Sequence, residues 1–206
     1  MAGLNTSPLR LGVFGGTFDP PHHAHRILAA EALEQLELER VLWVLTPNPP
    51  HKVDINITPV EHRLAMLQGA LAGEDRFELS RVDIERPPPH YTLGTLQALR
   101  RQYPQARLVF LMGGDSLRDL PTWHEPKAFL EACDELGVMR RASNHLDLEA
   151  LKSALPALKA KLRWIDTPLL EISASWIRQR VSLGKTYRFY VPEAVYRIIE
   201  RHKLYK

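Results

Sequence analysis

The stretch GGTFDPPHHAH, residues 15–25, combines residue types that together favour binding of an anion. Gly15 and Gly16 follow an apolar run, and glycines let a backbone approach a ligand and adopt a positive φ. His22 and His25 are three residues apart where an amphipathic pattern begins, so both project from nearly one face of a first helical turn. Unpaired N–H groups and the positive dipole end attract phosphate to such a helix start. The stretch therefore predicts a phosphate site formed by backbone N–H groups and two imidazoles.

Two other interpretations of the same stretch stay open. One is a glycine turn followed by surface histidines that bind nothing. The other is a metal site of Asp19, His22 and His25, which would need a fitting geometry and usually a further ligand. The stretch contains neither the GxxxxGK[ST] phosphate loop nor the GxGxxG dinucleotide fingerprint, so it belongs to neither of those two classes of site.

The elements that position this stretch follow from the alternation of short apolar runs with amphipathic segments. The runs predicted as strands are 9–14, 40–45, 77–80, 107–113, 135–140 and 161–166. The segments predicted as helices are 23–38, 58–71, 92–102, 147–160 and 192–202. This alternation predicts an α/β fold with a doubly wound, mainly parallel sheet and helices on both faces. Such sheets bind ligands at the carboxyl ends of their strands, where residues 15–25 would lie.

The second and last predicted helices carry start signals. In the second, Thr58 is expected as the N-cap, Pro59 as the first helical residue and Glu61 as the capping-box partner. Pro192 similarly suits the first turn of the last helix.

Length and composition indicate a single cytoplasmic domain. The chain has 206 residues, of which 45% are hydrophobic and 25% charged, which is enough to bury a core without disulfides. Its one cysteine, Cys133, excludes an intrachain disulfide. The sequence shows neither a signal-peptide pattern nor a run of about 20 apolar residues, so neither secretion nor a membrane span is expected. We therefore predict one domain over residues 1–206.

The net charge of +3 is compatible with nucleic acid or with small anionic ligands. The basic residues are spread along the chain, and the densest group, residues 197–206, is typical of a solvated helix end. A nucleic-acid-binding protein would be expected to cluster basic and aromatic residues on one face, and the sequence contains no such cluster.

The first stretch resembles the GGTFDPxHxGH signature of a nucleotidyltransferase superfamily. Within it the chain is similar to the bacterial nicotinate-nucleotide adenylyltransferases, because further motifs of that family occur in the expected order over nearly the whole chain. These motifs are PNPPHK (47–52), IERPPPHYTLGTLQALR (84–100), GGDSLRDLPTWHEP (113–126), ISASWIRQR (172–180) and YVPEAVYRIIERHKLY (190–205).

The resemblance implies a Rossmann-like nucleotidyltransferase fold and a reaction between ATP and nicotinate mononucleotide. The mononucleotide phosphate would attack the α-phosphorus of ATP, releasing pyrophosphate and giving deamido-NAD. A phosphate whose second pKa is about 6 is already a nucleophile at neutral pH, so no general base is required. Mg²⁺ would accompany the triphosphate, held mostly by phosphate oxygens and water, so no protein metal ligand is expected.

The resemblance also assigns residues to the two substrates. The expected catalytic residues are His22, His25 and Arg178. The expected ATP-binding residues are Gly15, Gly16, Thr17, Phe18, His22, His25, Gly113, Asp115, Ile172, Ser173, Ser175 and Arg178. The expected nicotinate mononucleotide-binding residues are Gly16, Thr17, Lys52, Tyr91, Thr92 and Trp123. Residues 172–206 are expected to form a helical part that completes the ATP site.

The roles within these sets differ. Trp123 is expected to stack on the pyridine ring, whereas Trp43, inside a strand pattern, is expected in the core. Asp19 is expected to order the first loop rather than to bind metal. Asp115 is expected to line the adenosine pocket, to act as a helix N-cap, or both.

Three positions depart from the family pattern: Ala24 replaces a glycine, Gly94 an aspartate and Ser175 a threonine.

Three alternative functions stay open beside the resemblance: phosphopantetheine adenylyltransferase, another adenylyltransferase of the superfamily, and a non-catalytic nucleotide-binding protein. The sequence leaves open the choice between the acid and amide mononucleotides, and whether the chain forms a homo-oligomer.

Overall fold

The fold is built on one sheet of six parallel strands. The computed structural model of the chain describes residues 8–49, 56–140, 146–168 and 170–206. The strands are β1 (Arg10–Gly16), β2 (Arg40–Leu45), β3 (Phe77–Ser80), β4 (Arg107–Gly113), β5 (Glu135–Met139) and β6 (Leu162–Ile165). Their order is β3-β2-β1-β4-β5-β6, and every neighbouring pair is parallel. The predicted doubly wound α/β fold is therefore confirmed.

Nine α-helices are found in the described residues, and they cover both faces of the sheet. They are α1 (His23–Gln35), α2 (Val60–Leu71), α3 (Thr92–Gln102), α4 (Gly114–Asp119), α5 (Pro126–Ala132), α6 (Leu148–Ala154), α7 (Leu158–Lys161), α8 (Ala174–Ser182) and α9 (Glu193–His202). None of the helices in the described ranges is long and apolar enough to cross a membrane.

Each face of the sheet buries its own apolar cluster. On one face, α1 and α2 pack on Trp43 and its neighbours, so the prediction that Trp43 belongs to the core is correct. On the other face, α3 and α5 to α7 pack on residues such as Leu108 and Phe110. Strands covered on both faces have near-continuous apolar sequences, which is why RVLWVL and RLVFLMG were recognisable as strands.

A third cluster joins the carboxyl-terminal helices to α2. Met66 and Ala70 of α2 pack against Ile177 of α8 and against Val195 and Ile199 of α9. The approach of α9 is close at Gly69: a Cβ atom placed there would lie 2.7 Å from the Cβ of Ala194. The absence of a side chain at Gly69 therefore lets α2 and α9 meet.

The amino ends of the strands, away from the ligand-binding edge, carry a charge cluster. The Glu135 carboxylate accepts from Arg10 and Arg107 at 3.2 and 2.9 Å and lies 3.4 Å from Arg163. Burial would raise the pKa of this carboxyl, but the hydrogen bond from Arg10 and the three positive charges outweigh burial and hold that pKa below its ordinary value.

Two predicted helices have wrong boundaries for local reasons. The first helix ends at Gln35 instead of residue 38, and Glu37 adopts a positive φ of 50°. The helix predicted over 147–160 is two helices, because Pro156 lacks an N–H and disfavours helical dihedrals at Leu155, whose φ and ψ are −131° and 76°.

The second helix begins at Val60, and its N-cap is Pro59 rather than the predicted Thr58. The backbone of Thr58 is engaged elsewhere: its N–H donates to the Asp19 carboxylate at 3.2 Å and its carbonyl accepts from Arg63 at 2.7 Å. Tertiary hydrogen bonds thus replace the local cap that the sequence suggested.

Candidate active site

A cavity of about 750 Å³ opens at the carboxyl ends of the strands. The ends of β1 and β4 form its floor, with Gly16 on one side and Gly113 on the other. These two strands are neighbours in the sheet although they are far apart in sequence, so the cavity lies where the strand order reverses. Doubly wound sheets bind ligands at this point, and the volume falls in the ordinary range for a small-molecule site.

The two glycines of the first stretch are the last residues of β1. Gly15 pairs with Val44 and Gly16 with Leu45, so both are extended, and the predicted turn with positive φ at the glycines is wrong. The positive φ of the loop falls on Phe18, at 47°. The Phe18 ring lies over Gly16, where an added Cβ would come within 3.0 Å of it. At Gly16 the close packing of the Phe18 ring, rather than the dihedral angles, therefore disfavours a side chain.

His22 and His25 lie together at the start of α1, as the spacing predicted. Their rings are stacked with centroids 3.6 Å apart, and both line the cavity. The His22 backbone N–H donates to Nδ1 of His25 at 3.2 Å. Because Nδ1 of His25 is an acceptor, the neutral imidazole carries its proton on Nε2. His23, between them, is not among the lining residues, and burial holds the pKa of its imidazole below its ordinary value.

Asp19 orders the first loop through contacts with distant segments. It is 5% exposed, and its two carboxylate oxygens accept from the Thr58 N–H at 3.2 Å and from the Tyr205 hydroxyl at 2.6 Å. Its carbonyl accepts from the Arg178 guanidinium at 2.7 Å. These contacts agree with the expectation that Asp19 holds the loop.

Arg63 of α2 is a buried cation, 2% exposed, that joins the loops on one side of the cavity. Its guanidinium donates to the carbonyls of Thr17, Thr46, Pro47 and Thr58 at 2.6–3.0 Å. Burial holds the pKa of Arg63 below its ordinary value, while the charge of Asp19 acts in the opposite direction. This role of Arg63 was not predicted, because an arginine on an amphipathic helix is usually solvated.

An aromatic wall closes the other side of the cavity. Tyr91 stacks on His124 with centroids 4.0 Å apart, and Trp123 packs at 5.2 Å from Phe129. Tyr91, Trp123 and His124 all line the cavity. Trp123 was expected here, whereas His124 was missed although it directly follows Trp123 in the sequence.

The loop that carries Tyr91 is held by Arg86. The Arg86 guanidinium donates to the Asp83 carboxylate at 2.9 Å and to the carbonyls of Pro89 and Tyr91 at 2.8 and 3.1 Å. A Cβ at Gly94 would lie 3.2 Å from this guanidinium. The departure from the family pattern at Gly94 therefore lies against the guanidinium of Arg86.

The start of α8 forms a second helix N-terminus at the cavity. Ser173 is its N-cap, and its hydroxyl accepts from the Trp176 N–H at 3.2 Å. Ile172 and Ser173 line the cavity. Ser175 does not line it, but its hydroxyl contacts that of Ser173 at 3.2 Å. At the end of β4, Gly113 is the N-cap of α4, so the suggestion that Asp115 caps a helix is wrong. Asp115 lies in the first turn and lines the cavity.

Most of the predicted site residues come together in this cavity. The lining includes Gly15, Gly16, Thr17, His22, His25, Tyr91, Thr92, Gly113, Asp115, Trp123, Ile172 and Ser173. Phe18, Ser175 and Arg178 adjoin the site without lining it, and Lys52 lies outside the described residues. The described residues contain no group of three or more His, Cys, Asp or Glu side chains that could hold a metal ion.

The fold and this site define a nucleotidyltransferase. The cytidylyltransferase-like family model matches residues 13–180. A protein of Thermomicrobium roseum named as a probable nicotinate-nucleotide adenylyltransferase is 50% identical over 197 residues, 96% of this chain and 92% of that protein. A protein of Roseiflexus sp. with the same name is 41% identical over 203 residues, 98% of this chain and all of that protein. The chain belongs to the nicotinate-nucleotide adenylyltransferase family.

A solved structure has the same fold. The Plasmodium falciparum nicotinic acid mononucleotide adenylyltransferase, in its complex with NaAD, superposes with a TM-score of 0.77. The alignment covers 96% of this chain and 97% of that one at 19% identity. The family model and the relatives confirm the family inferred from the ordered motifs. Because the chain is a nucleotidyltransferase by family, the non-catalytic alternative is not favoured.

Proposed function

We propose that the chain transfers the adenylyl group of ATP to nicotinate mononucleotide, giving deamido-NAD and pyrophosphate. One observation supports this more than any other: a single cavity joins the His22–His25 pair to the aromatic wall at Trp123. One end therefore offers donors for phosphate, and the other offers flat apolar surface for a pyridine ring. Both substrates of the reaction find complementary chemistry in one space.

The ATP phosphates are assigned to the first loop and the start of α8. The N-termini of α1 and α8 both meet the cavity, and each provides backbone N–H groups and a positive dipole end. His25 is placed to stabilise the charge that develops on the α-phosphate, and a donor of this kind contributes about 10²–10³ in rate. The Arg178 guanidinium donates to the Asp19 carbonyl and so lies next to this region. We assign Arg178, Ser173 and Ser175 to the β- and γ-phosphates.

The adenosine is assigned to the end of β4, with Gly113 and Asp115 along its pocket. The pyridine ring is assigned to Trp123, beside Tyr91 and Thr92. Thr92 is the first residue of α3, so its backbone N–H is one of those left unpaired within the helix and can donate to the substrate carboxylate. Lys52 is assigned to the mononucleotide phosphate on the family motif alone.

The reaction needs positioning more than proton transfer. The attacking phosphate is largely dianionic at neutral pH and is a nucleophile without a base. We assign Mg²⁺ to the phosphate oxygens of ATP and to water, and to no protein ligand. That ion would neutralise charge on the triphosphate, while His22, His25 and the helix N-termini orient the reacting groups.

The chain is further proposed to act in the cytoplasm as one domain, residues 1–206, in which residues 172–206 complete the ATP site. The packing of α8 and α9 on α2, and the contact between Arg178 and Asp19, support the assignment of residues 172–206 to the same domain and to the ATP site. Whether copies of the chain associate is decided by measuring its mass in solution.

The test measures pyrophosphate release from ATP and Mg²⁺ with three acceptors in parallel: nicotinate mononucleotide, nicotinamide mononucleotide and 4′-phosphopantetheine. We expect release with nicotinate mononucleotide. Equal release with the amide would keep the reaction and remove selectivity for the acid. Release with phosphopantetheine alone would contradict the proposed substrate, and no release with any acceptor would contradict adenylyl transfer.

A further inference from the structure

The first loop is fastened by a residue that follows the last helix. Tyr205 lies beyond α9, and its hydroxyl donates to Asp19 Oδ1 at 2.6 Å across 186 residues of sequence. The tyrosine packs against the third apolar cluster, and burial, followed by the charge of Asp19, raises the pKa of its hydroxyl, which therefore remains a donor.

The backbone of Tyr205 is held in an unfavourable conformation. Its φ is 65°, in the left-handed region that a residue with a Cβ adopts at a cost in energy. Such conformations persist where surrounding contacts outweigh that cost. The contacts include the hydrogen bond to Asp19, a hydrogen bond with the Thr58 side chain, and packing on the cluster formed by α2, α8 and α9. The segment is therefore fixed in place rather than frayed.

Asp19 transmits this contact to the cavity. Its backbone separates Thr17 from His22, two residues that line the cavity, and its carbonyl carries the Arg178 guanidinium. Its other carboxylate oxygen holds the start of α2 at Thr58. Loss of the Tyr205 hydroxyl would leave the buried Asp19 carboxylate short of one donor. Because an unsatisfied buried acceptor costs free energy, the loop is expected to shift. An error of about 1 Å in a positioned group can reduce a rate roughly a hundredfold.

We infer that Tyr205 is a positioning residue for the reaction: through Asp19 it fixes the loop that carries the phosphate-binding groups. This inference rests on the proposed adenylyl transfer. It requires that removal of the hydroxyl lowers kcat in a protein that remains folded, because the contact acts on the reacting groups and not only on the fold.

The test compares Tyr205→Phe with a matched control, Tyr187→Phe. The Tyr187 hydroxyl also donates to a carboxylate, that of Glu200, at the same distance of 2.6 Å, and it too lies in the carboxyl-terminal part. Its bond joins α9 to the segment before it and does not touch the first loop. Each variant loses one charge-assisted hydrogen bond of equal length. Because the Glu200 carboxylate is 39% exposed and that of Asp19 is buried, Tyr187→Phe should lose less thermal stability, and kcat is the quantity compared.

We expect Tyr205→Phe to reduce kcat about tenfold, the scale of one hydrogen bond to a charged group. The KM for nicotinate mononucleotide should change less than about twofold, because the aromatic wall is untouched. Tyr187→Phe should retain wild-type kcat. In an Asp19→Ala background, Tyr205→Phe should cause little further loss, because the acceptor of the Tyr205 hydroxyl is already gone.

Three results would overturn the inference. Wild-type kcat in Tyr205→Phe would show that the contact serves only stability, and so would equal losses in the two Tyr→Phe variants. Fully multiplicative losses in the Asp19→Ala background would show that Tyr205 does not act through Asp19. A wild-type protein without adenylyl transfer would instead overturn the proposed function and the inference together, so the two failures are distinguishable.

Discussion

The close approach of α2 and α9 makes Gly69→Ala a sharp test of the packing. In a helix interior this substitution ordinarily stabilises a protein by about 1 kcal/mol, because alanine has the better helix propensity. Here the new methyl would lie 2.7 Å from the Cβ of Ala194, well inside van der Waals contact, so α9 must shift. Overpacking of this kind costs about 1–3 kcal/mol. The net expectation is a loss of about 1 kcal/mol.

The assay is urea unfolding of the purified protein at 25 °C, with the midpoint and slope fitted for each variant. A compensating variant isolates the contact: Ala194→Gly in the Gly69→Ala background removes the opposing methyl. The two substitutions should therefore show a favourable coupling of at least about 1 kcal/mol. If Gly69→Ala alone stabilises the protein by about 1 kcal/mol, the helices do not meet as described and the reasoning is refuted.

Three further predictions concern other parts of the molecule. His25→Ala should lower kcat by about 10²–10³, whereas His23→Ala should leave it near wild type; equal losses with intact folding would contradict the assignment of His25. Because the folded pKa of Glu135 is lowered, its stabilisation is present above about pH 4.3 and is lost as the pH falls through the folded value. Glu135→Gln should therefore cost about 1 kcal/mol in urea unfolding at pH 7, and its curve should converge with wild type in acid; a difference independent of pH would contradict this. Burial raises the pKa of Cys133 to about 11, so iodoacetamide at pH 8 should label it in urea but not in the native protein. Rapid labelling of the native protein would show that the thiol is exposed.

The sequence predicted those parts of the fold whose cause is local. Six apolar runs became six strands, and the helix over 92–102 was placed correctly, because burial on both faces and periodicity leave clear patterns. His22 and His25 also came together as expected, since their separation fixes their placement on one helical turn.

Apart from the helix that Pro156 interrupts, the errors and omissions arise where tertiary contacts override local preference. Thr58 is drawn from its cap by Asp19 and Arg63, which lie far away in sequence. The burial of Arg63 and the contact of Tyr205 with Asp19 depend on how α2, α8 and α9 pack, and no periodicity encodes that packing. The positive φ expected at a glycine falls on Phe18, whose ring lies over Gly16, and no local pattern in the sequence marks that residue.

The position of β1 in the middle of the sheet has a consequence for synthesis on the ribosome. β1 is made early, and β2 can cover one of its edges soon afterwards, but its other partner, β4, begins only at Arg107. At about 5–20 residues per second, the interval from residue 16 to residue 107 lasts roughly 5–18 s. During that time an apolar strand has an open edge, a state that invites pairing with other nascent chains. The cavity between β1 and β4 cannot exist until that edge is closed, so the same pairing of strands is required both for the active site and for protection from aggregation.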